Sequence, residues 1–451
     1  MKRLATLFVA VLALRLCHLR IVWVEEAYPA AAAIQMSEYG KTLYTDVVFD
    51  KPPAAAYFYR LFDAHTGWPL RIAGACFVFA CALAAFVAAR RLWGSAEAYA
   101  AAALTCFALS FDHPSAAMAI APDLSMVLPH LLALWLVASG RFAWAGVACG
   151  VAFFANPKAA FVAVVCVLWS RSPWLALTAA ASSVVLLLPF YQGWYEQVWL
   201  WGRDYSRDSP FANPLLEGVK QSGSWIWFHL TLVIAAGYAI VRERENRKWV
   251  LWIAVNAVAV GLGLRFAPRY FFQLLPVVVL PAAHGLCLMS PRWRAFVLAL
   301  MLIPLVRFGR MYPELALDLA LGRPHASNQL ALANDSREAA AIVKSAAHPG
   351  DTLFVWGYRP DVHMHARMPL GAPFLDSQPV NGVLADRHLV SSKPSNMRGL
   401  RKLETKSTFV VDGLGLLNPA LAFAAGGEYR EIGRTKASII YQLLAANAQP
   451  R

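Results

Sequence analysis

The sequence predicts a polytopic α-helical membrane protein of about eleven transmembrane helices, with a small α/β domain at the carboxy-terminal end outside the cytoplasm. Three observations lead there. Hydrophobic residues fill 59% of the 451 positions and charged residues only 15%, where a soluble domain has roughly 45–50% and 25%. Apolar runs of about 17–25 residues recur along most of the chain, long enough to cross a hydrocarbon core near 30 Å. Basic residues gather in alternate short loops between those runs. In lipid the runs must be helices, because no water is present to satisfy open backbone groups.

The expected helices cover 4–23, 69–89, 95–112, 122–138, 142–155, 158–170, 173–190, 224–241, 249–265, 271–289 and 294–309. Asn156-Pro157-Lys158 divides what could be one long span into two short helices. A proline removes a helix donor and a lysine is costly at mid-membrane, so the turn belongs near the outer face. Lys2-Arg3, Arg90-Arg91, Arg141, Arg171, the 242–248 stretch and Arg292/Arg294 all fall on one side of this scheme. That side is the cytoplasm by the orientation rule. The amino terminus is then inside, and everything after Arg310 lies outside, which in a bacterium means inner membrane and periplasm. The same rule accounts for the net charge of +14, which in a soluble chain would suggest nucleic acid. Arg15, His18 and Arg20 interrupt the run into a cleavage site, so the first span is read as retained. All seven cysteines fall inside expected spans, which implies neither a disulfide framework nor a metal knuckle.

The expected division is therefore a transmembrane module over 1–309, with outer loops at 24–68 and 191–223, and an α/β domain over 310–451. In that domain Asp335 reads as the N-cap of a helix to Ala347, with Glu338 completing a capping box. Residues 351–357, 408–412 and 438–442 read as strands. No Gly-rich phosphate loop or catalytic triad pattern is visible there, and no internal repeat anywhere.

The first outer loop holds the least ordinary set of residues. Glu25-Glu26 stands where the first helix leaves the membrane, and Lys51 is locked by Pro52 and Pro53. A solvated loop carries single charges by chance. Two acids held at the bilayer surface opposite such a lysine can do more: a carboxylate takes a proton from an incoming hydroxyl, and a lysine neutralises a phosphate at the interface. Asp123 opens the fourth span, where an N-cap role would explain it without function. Arg269 follows the turn 265–268 at an outer helix end. It either snorkels to headgroups or offers a phosphate its planar fork. Lys158 faces the same side after Pro157. Asp112 and His113 read as interface residues, and Trp194, Tyr195, Trp199, Trp201 and Tyr205 as an aromatic belt or as a mobile amphipathic loop over a lipid-carrier site.

Glu25-Glu26-Ala27-Tyr28, then Gly40 with Leu43-Tyr44-Thr45-Asp46, then Asp50-Lys51-Pro52-Pro53 with Tyr57, resembles the first periplasmic loop of glycosyltransferase C superfamily enzymes. The pattern is most similar to the protein O-mannosyltransferase-like and aminoarabinose-transferase-like membrane enzymes. Arg269-Tyr270 through Leu275-Pro276 is similar to the same family's late Arg/His-Tyr…Leu-Pro element. The resemblance covers the multi-span part and no motif of the carboxy-terminal domain. It implies a polyprenyl-phosphate-linked sugar as donor and inverting transfer to a protein, lipid or glycan acceptor on the outer face. Under it Lys51 and Arg269 hold the phosphate; Lys158, by its own place after Pro157, is a further phosphate candidate. Glu25 or Glu26 is the catalytic base, and Asp123 is the second catalytic acid, placing the acceptor or a metal. Some relatives use a divalent cation and others do not, so the resemblance leaves the metal open. One departure stands out: the family opens this loop with Asp, and this chain has Glu25, one methylene longer. The rival from another class is a non-catalytic binder of lipid-linked sugar, or a transporter, with a periplasmic domain. A transporter places ionisable groups at mid-membrane along a path, whereas here they gather at outer helix ends.

Overall fold

A computed structural model describes residues 2–207, 211–325, 330–377, 407–413 and 428–444. The chain divides into two compact units. One comprises 1–20, 51–55 and 66–323; the other comprises 21–50, 56–65 and 324–451. The sequence placed the whole outer loop 24–68 with the transmembrane module. In the structure most of that loop packs with the carboxy-terminal region instead.

The first unit is helical. Among the described residues, Trp68–Leu92, Pro173–Arg203 and Pro291–Ala320 are long and apolar enough to cross a membrane, and the pair Pro214–Phe228 and Leu230–Arg242 passes the same test together, bent by 87° at His229. Pro122–Ala138, Phe142–Ala155, Pro157–Ser170 and Leu275–Leu288 are apolar but shorter. Trp68–Leu92 begins after Gly67 and ends on Arg90 and Arg91, charges that suit a helix carboxy terminus. It packs on Ser95–Ala108 through a seam of buried alanines, including Ala82, Ala85, Ala98 and Ala101. Small residues let two backbones approach where lipid supplies no hydrophobic drive. Phe142–Ala155 meets Pro173–Leu187 in the same way: a Cβ on Gly146 would lie 2.0 Å from Thr178 Oγ1, and one on Gly150 1.9 Å from Ser182 Oγ.

Three expected boundaries move. The first helix is Lys2–Leu16, with a turn at 17–20 and a new helix Val24–Glu38, so the expected 4–23 span is cut short at Arg15 and His18. The last apolar helix runs on to Ala320, past Arg310. Much of the expected outer loop 191–223 is helical, continuing Pro173–Leu187 and opening Pro214–Phe228. The break at Asn156 is where the proline demands it, with Asn156 extended at φ −158° and ψ 126°.

The second unit holds a four-stranded sheet: β1 (Leu353–Trp356), β2 (Phe409–Asp412), β3 (Tyr429–Arg434) and β4 (Ile439–Leu443), in the order β1-β2-β4-β3. β1 and β2 are parallel, Leu353 opposite Phe409; β2–β4 and β4–β3 are antiparallel. The helix Ala331–Ala346 covers one face, burying Ala339, Ala340 and Val343 against Leu353, Val355, Phe409, Val411 and Ile440. Asp335 lies inside this helix and is not its N-cap. Its carboxylate instead receives Arg359 Nη2 and Ser438 Oγ, at 2.9 and 2.8 Å, and the Ala437 N–H at 2.8 Å. Burial pushes this carboxyl up, but hydrogen bonds from the Thr435 side chain, Arg359, Ser438 and the Ala437 N–H outweigh it and hold it below the usual carboxylate range.

Val24–Glu38 belongs to this unit and packs on the helix Pro360–Ala366. Gln35 fixes the docking: its Nε2 donates to Met368 O at 2.9 Å and its Oε1 accepts the Leu370 N–H at 3.2 Å. Tyr39 Oη donates to Arg367 O at 2.6 Å, and the Val48 N–H to Pro373 O at 2.7 Å.

Candidate functional site

In the second unit, the two first-loop acids have different fates. Glu26 is fully buried, and its Oε2 accepts the Trp23 N–H at 3.0 Å at the start of Val24–Glu38. That satisfies one of the orphan donors every helix start presents. Glu25 stands in the same first turn, half-buried. Both open the second helix of the chain and do not end the first, because the turn at 17–20 intervenes. Lys51, half-buried, precedes Pro52 and the helix Pro53–Arg60, at a point where the chain passes into the first unit.

In the first unit the structure brings Asp123, Lys158 and Arg269 together. Asp123 is the second residue of a short helix, Pro122–Ser125, whose cap position is taken by extended Ala121. It is therefore not the N-cap. Its Oδ1 accepts Asn156 Nδ2 at 2.9 Å, and its Oδ2 lies 3.6 Å from Arg269 Nε. Arg269 rides on the 3₁₀ turn Pro268–Gln273, which Pro268 opens. That turn is anchored in the helix layer by Gln273, whose Nε2 donates to Asn256 Oδ1 at 2.5 Å; Asn256 Nδ2 in turn reaches Trp252 O at 2.9 Å.

Lys158 sits on the 3₁₀ turn Pro157–Ala159. Its Nζ lies 3.6 Å from the centroid of the Tyr270 ring, and Arg269 Cζ lies 5.5 Å from the same ring. Ring faces attract cations through their quadrupole, so Tyr270 steadies both. Among the described residues, Lys158 Nζ is buried and has no hydrogen-bond acceptor. Two cations thus face one carboxylate, and an ammonium with three donors has none of them used. The arrangement is suited to an anion with several acceptor oxygens.

It does not suit a divalent cation at Asp123. One carboxylate oxygen is bonded to an amide and the other faces a guanidinium, while Lys158 adds like charge. Among the described residues, no three His, Cys, Asp or Glu side chains converge as a metal set.

Asn156 and Tyr270 are the members that residue-by-residue reading did not single out. The signal for Asn156 is its place before a proline at a helix end. Asp112 is buried, with its Oδ2 3.6 Å from His229 Nε2 at the 87° bend. Trp225 stacks on His229 and on Phe271, two residues beyond Arg269, at 4.6 and 5.6 Å between centroids.

No family model and no curated protein matches the sequence. Among solved structures, the chain resembles ArnT from Cupriavidus metallidurans bound to undecaprenyl phosphate, with a TM-score of 0.61 at 18% identity over 99% of this chain and 98% of that one. The apo state of ArnT gives 0.59 at 18% identity over 99% of each chain. The apo oligosaccharyltransferase of Archaeoglobus fulgidus gives 0.52 at 12% identity, over 92% of this chain and 70% of that one. At such identities the likeness is one of fold. The chain shares the fold of these solved structures, a likeness that the first-loop and Arg269-Tyr270 motifs lead one to expect.

Proposed function

We propose that the protein is an inverting glycosyltransferase of a bacterial inner membrane, moving a sugar from a polyprenyl-phosphate carrier to an acceptor at the outer face. The observation that carries this reading is the buried Lys158 ammonium, without a hydrogen-bond acceptor among the described residues and beside Arg269. A phosphate supplies the missing oxygens. ArnT, which shares the fold, is bound to undecaprenyl phosphate, and the proposal extends that ligand class to this chain.

In this reading Lys158, Arg269 and Lys51 hold the phosphate and offset the charge that grows on it as it leaves. The acceptor oxygen attacks the anomeric carbon, and the bond from that carbon to the phosphate oxygen breaks. Polyprenyl phosphate departs with the electron pair. The acceptor's proton passes to Glu25, since Glu26 is engaged in capping its own helix. A single displacement inverts the anomeric centre. Asp123 orients the incoming acceptor, with no step through a metal.

The test is a lipid extract of the purified protein, examined by mass spectrometry, with added undecaprenyl phosphate as the binding probe. Polyprenyl phosphate or its glycosylated form should co-purify or bind. Protein that carries only bulk phospholipid and ignores the probe overturns the reading. The topology proposed with it has eleven crossings: the three long helices, the bent pair, the four shorter apolar helices, and Lys2–Leu16, Ser95–Ala108 and Lys248–Gly261, so a periplasm-only reporter fused after Arg451 should be active.

A further inference from the structure

The side chain of Asn156 makes two bonds at once. Its Nδ2 donates to Asp123 Oδ1 at 2.9 Å, and its Oδ1 accepts the Lys158 N–H at 3.0 Å. It is buried, 6% exposed. The orientation of the amide is fixed by its partners: flipped, its oxygen would face a carboxylate and its NH₂ would face an N–H.

Capping the Pro157–Ala159 turn does not by itself call for asparagine. Serine, threonine or aspartate accepts from a backbone N–H about as well. An amide accepts from that N–H at one atom and donates to the charged carboxylate from another, so it spans two partners that a hydroxyl would have to reach from a single oxygen. The first bond sets the turn that carries Lys158. The second occupies one oxygen of Asp123 and leaves the other toward Arg269. A single side chain therefore ties the acid and the lysine of the cluster together.

We infer that Asn156 is a positioning residue of the anion site, fixing Asp123 and the Lys158 turn in one register. The inference rests on the phosphate reading above and deepens it. Asn156→Asp separates the two jobs. It keeps the acceptor for the Lys158 N–H but sets a second carboxylate against Asp123, with Lys158 and Arg269 as the charged groups facing the pair. At pH 7.5 the like charges push apart. At pH 5 a proton shared by the two carboxyls restores the donor, since two carboxylates in contact do not both ionise readily.

The measurement is binding of undecaprenyl phosphate to protein in nanodiscs, as the ratio of variant to wild type at each pH, which cancels titration of the phosphate itself. The expected ratio is a loss of about tenfold at pH 7.5, narrowing to within about threefold at pH 5, because one charge-assisted bond is lost and then regained. The same ratio at both pH values, or wild-type binding at pH 7.5, overturns the inference, since a merely structural cap would not respond to pH. The exchange variant Asp123→Asn with Asn156→Asp swaps donor and acceptor. Its melting temperature should recover toward wild type from that of Asn156→Asp at pH 7.5, and no recovery counts against the contact. Wild-type binding in both Arg269→Ala and Lys158→Ala overturns the phosphate reading alone; the exchange variant then still decides the role of Asn156.

Discussion

Arg269 Nε stands 3.6 Å from Asp123 Oδ2, too far for a hydrogen bond and near enough for an ion pair. The pair is loose because Asp123 is held from its other side by Asn156, while the guanidinium also lies along Tyr270. Arg269→Ala and Lys158→Ala should each weaken undecaprenyl phosphate binding by about ten- to a hundredfold, the equivalent of a charge-assisted contact of about 1.5–3 kcal/mol. Lys51→Ala should act in the same direction. Asp123→Asn removes the competing anion, so it should not weaken phosphate binding, although it should slow transfer. Equilibrium binding of the four variants checks the signs; a loss in Asp123→Asn equal to that in Arg269→Ala would contradict the assignment.

Glu25 and Glu26, adjacent in sequence, should part company in the laboratory. Glu26→Ala removes a helix cap and should cost about 0.5–2 kcal/mol of stability. Glu25→Gln keeps shape and loses charge. It should lower turnover by about 10²–10⁴ while donor binding persists, as expected for a general base. Glu25→Asp restores the residue that related first loops carry. It loses rate if the site is built for the longer acid and gains if the longer acid is a handicap, since a shift near 1 Å costs about a hundredfold. Full turnover in Glu25→Gln removes Glu25 from the chemistry.

Arg15 is 1% exposed and donates to Ala117 O at 2.7 Å and Met118 O at 3.0 Å, the last carbonyls of the short helix Pro114–Met118. Arg15→Leu leaves both without that donor, at about 1–3 kcal/mol each. A lower melting temperature in detergent is the expected result. Gly74→Ala should lower it too, because the added Cβ would lie 2.3 Å from Arg15 Nη1. Combined, the two losses should fall short of their sum, as they act through one contact. An Arg15→Leu protein as stable as wild type would show that these carbonyls find other partners.

His363 lies in the helix Pro360–Ala366, fully buried, and neither ring nitrogen has a hydrogen-bond partner among the described residues. Burial lowers its pKa to about 3. An unfolded histidine titrates near 6.5, so below that pH the unfolded chain binds the extra proton. The stability contributed by neutral His363 is complete above about pH 6.5 and is lost as pH falls toward 3. At pH 5 the loss is about 2 kcal/mol. Hydrogen exchange over 353–366 should therefore quicken between pH 7.5 and pH 5 more in wild type than in His363→Met. Equal quickening in both would assign the acid sensitivity elsewhere.

Much of the class was legible in composition and periodicity. Helix positions such as Phe142–Ala155 follow directly from an apolar run ended by Asn156-Pro157, because a proline breaks the ladder wherever it falls. Strands β1, β2 and β4 follow from short β-branched and aromatic runs. β3 was not foreseen, since Tyr429–Arg434 carries charges and sits at the sheet edge, where little burial imposes a pattern. The helix containing Asp335 begins four residues earlier than its capping signal, because the Arg359 guanidinium claims the carboxylate that would have capped it.

By itself the sequence determined that this is a helical membrane protein with cations and acids at helix ends, since local hydropathy and charge act through neighbours in the chain. Tertiary structure alone decided which of those charges meet. Asp123, Asn156 and Arg269 are far apart in sequence, and they converge only because two proline-opened turns and a short helix are packed side by side. It also decided that Glu26 serves its own helix, because a capping bond forms or fails according to where the helix begins.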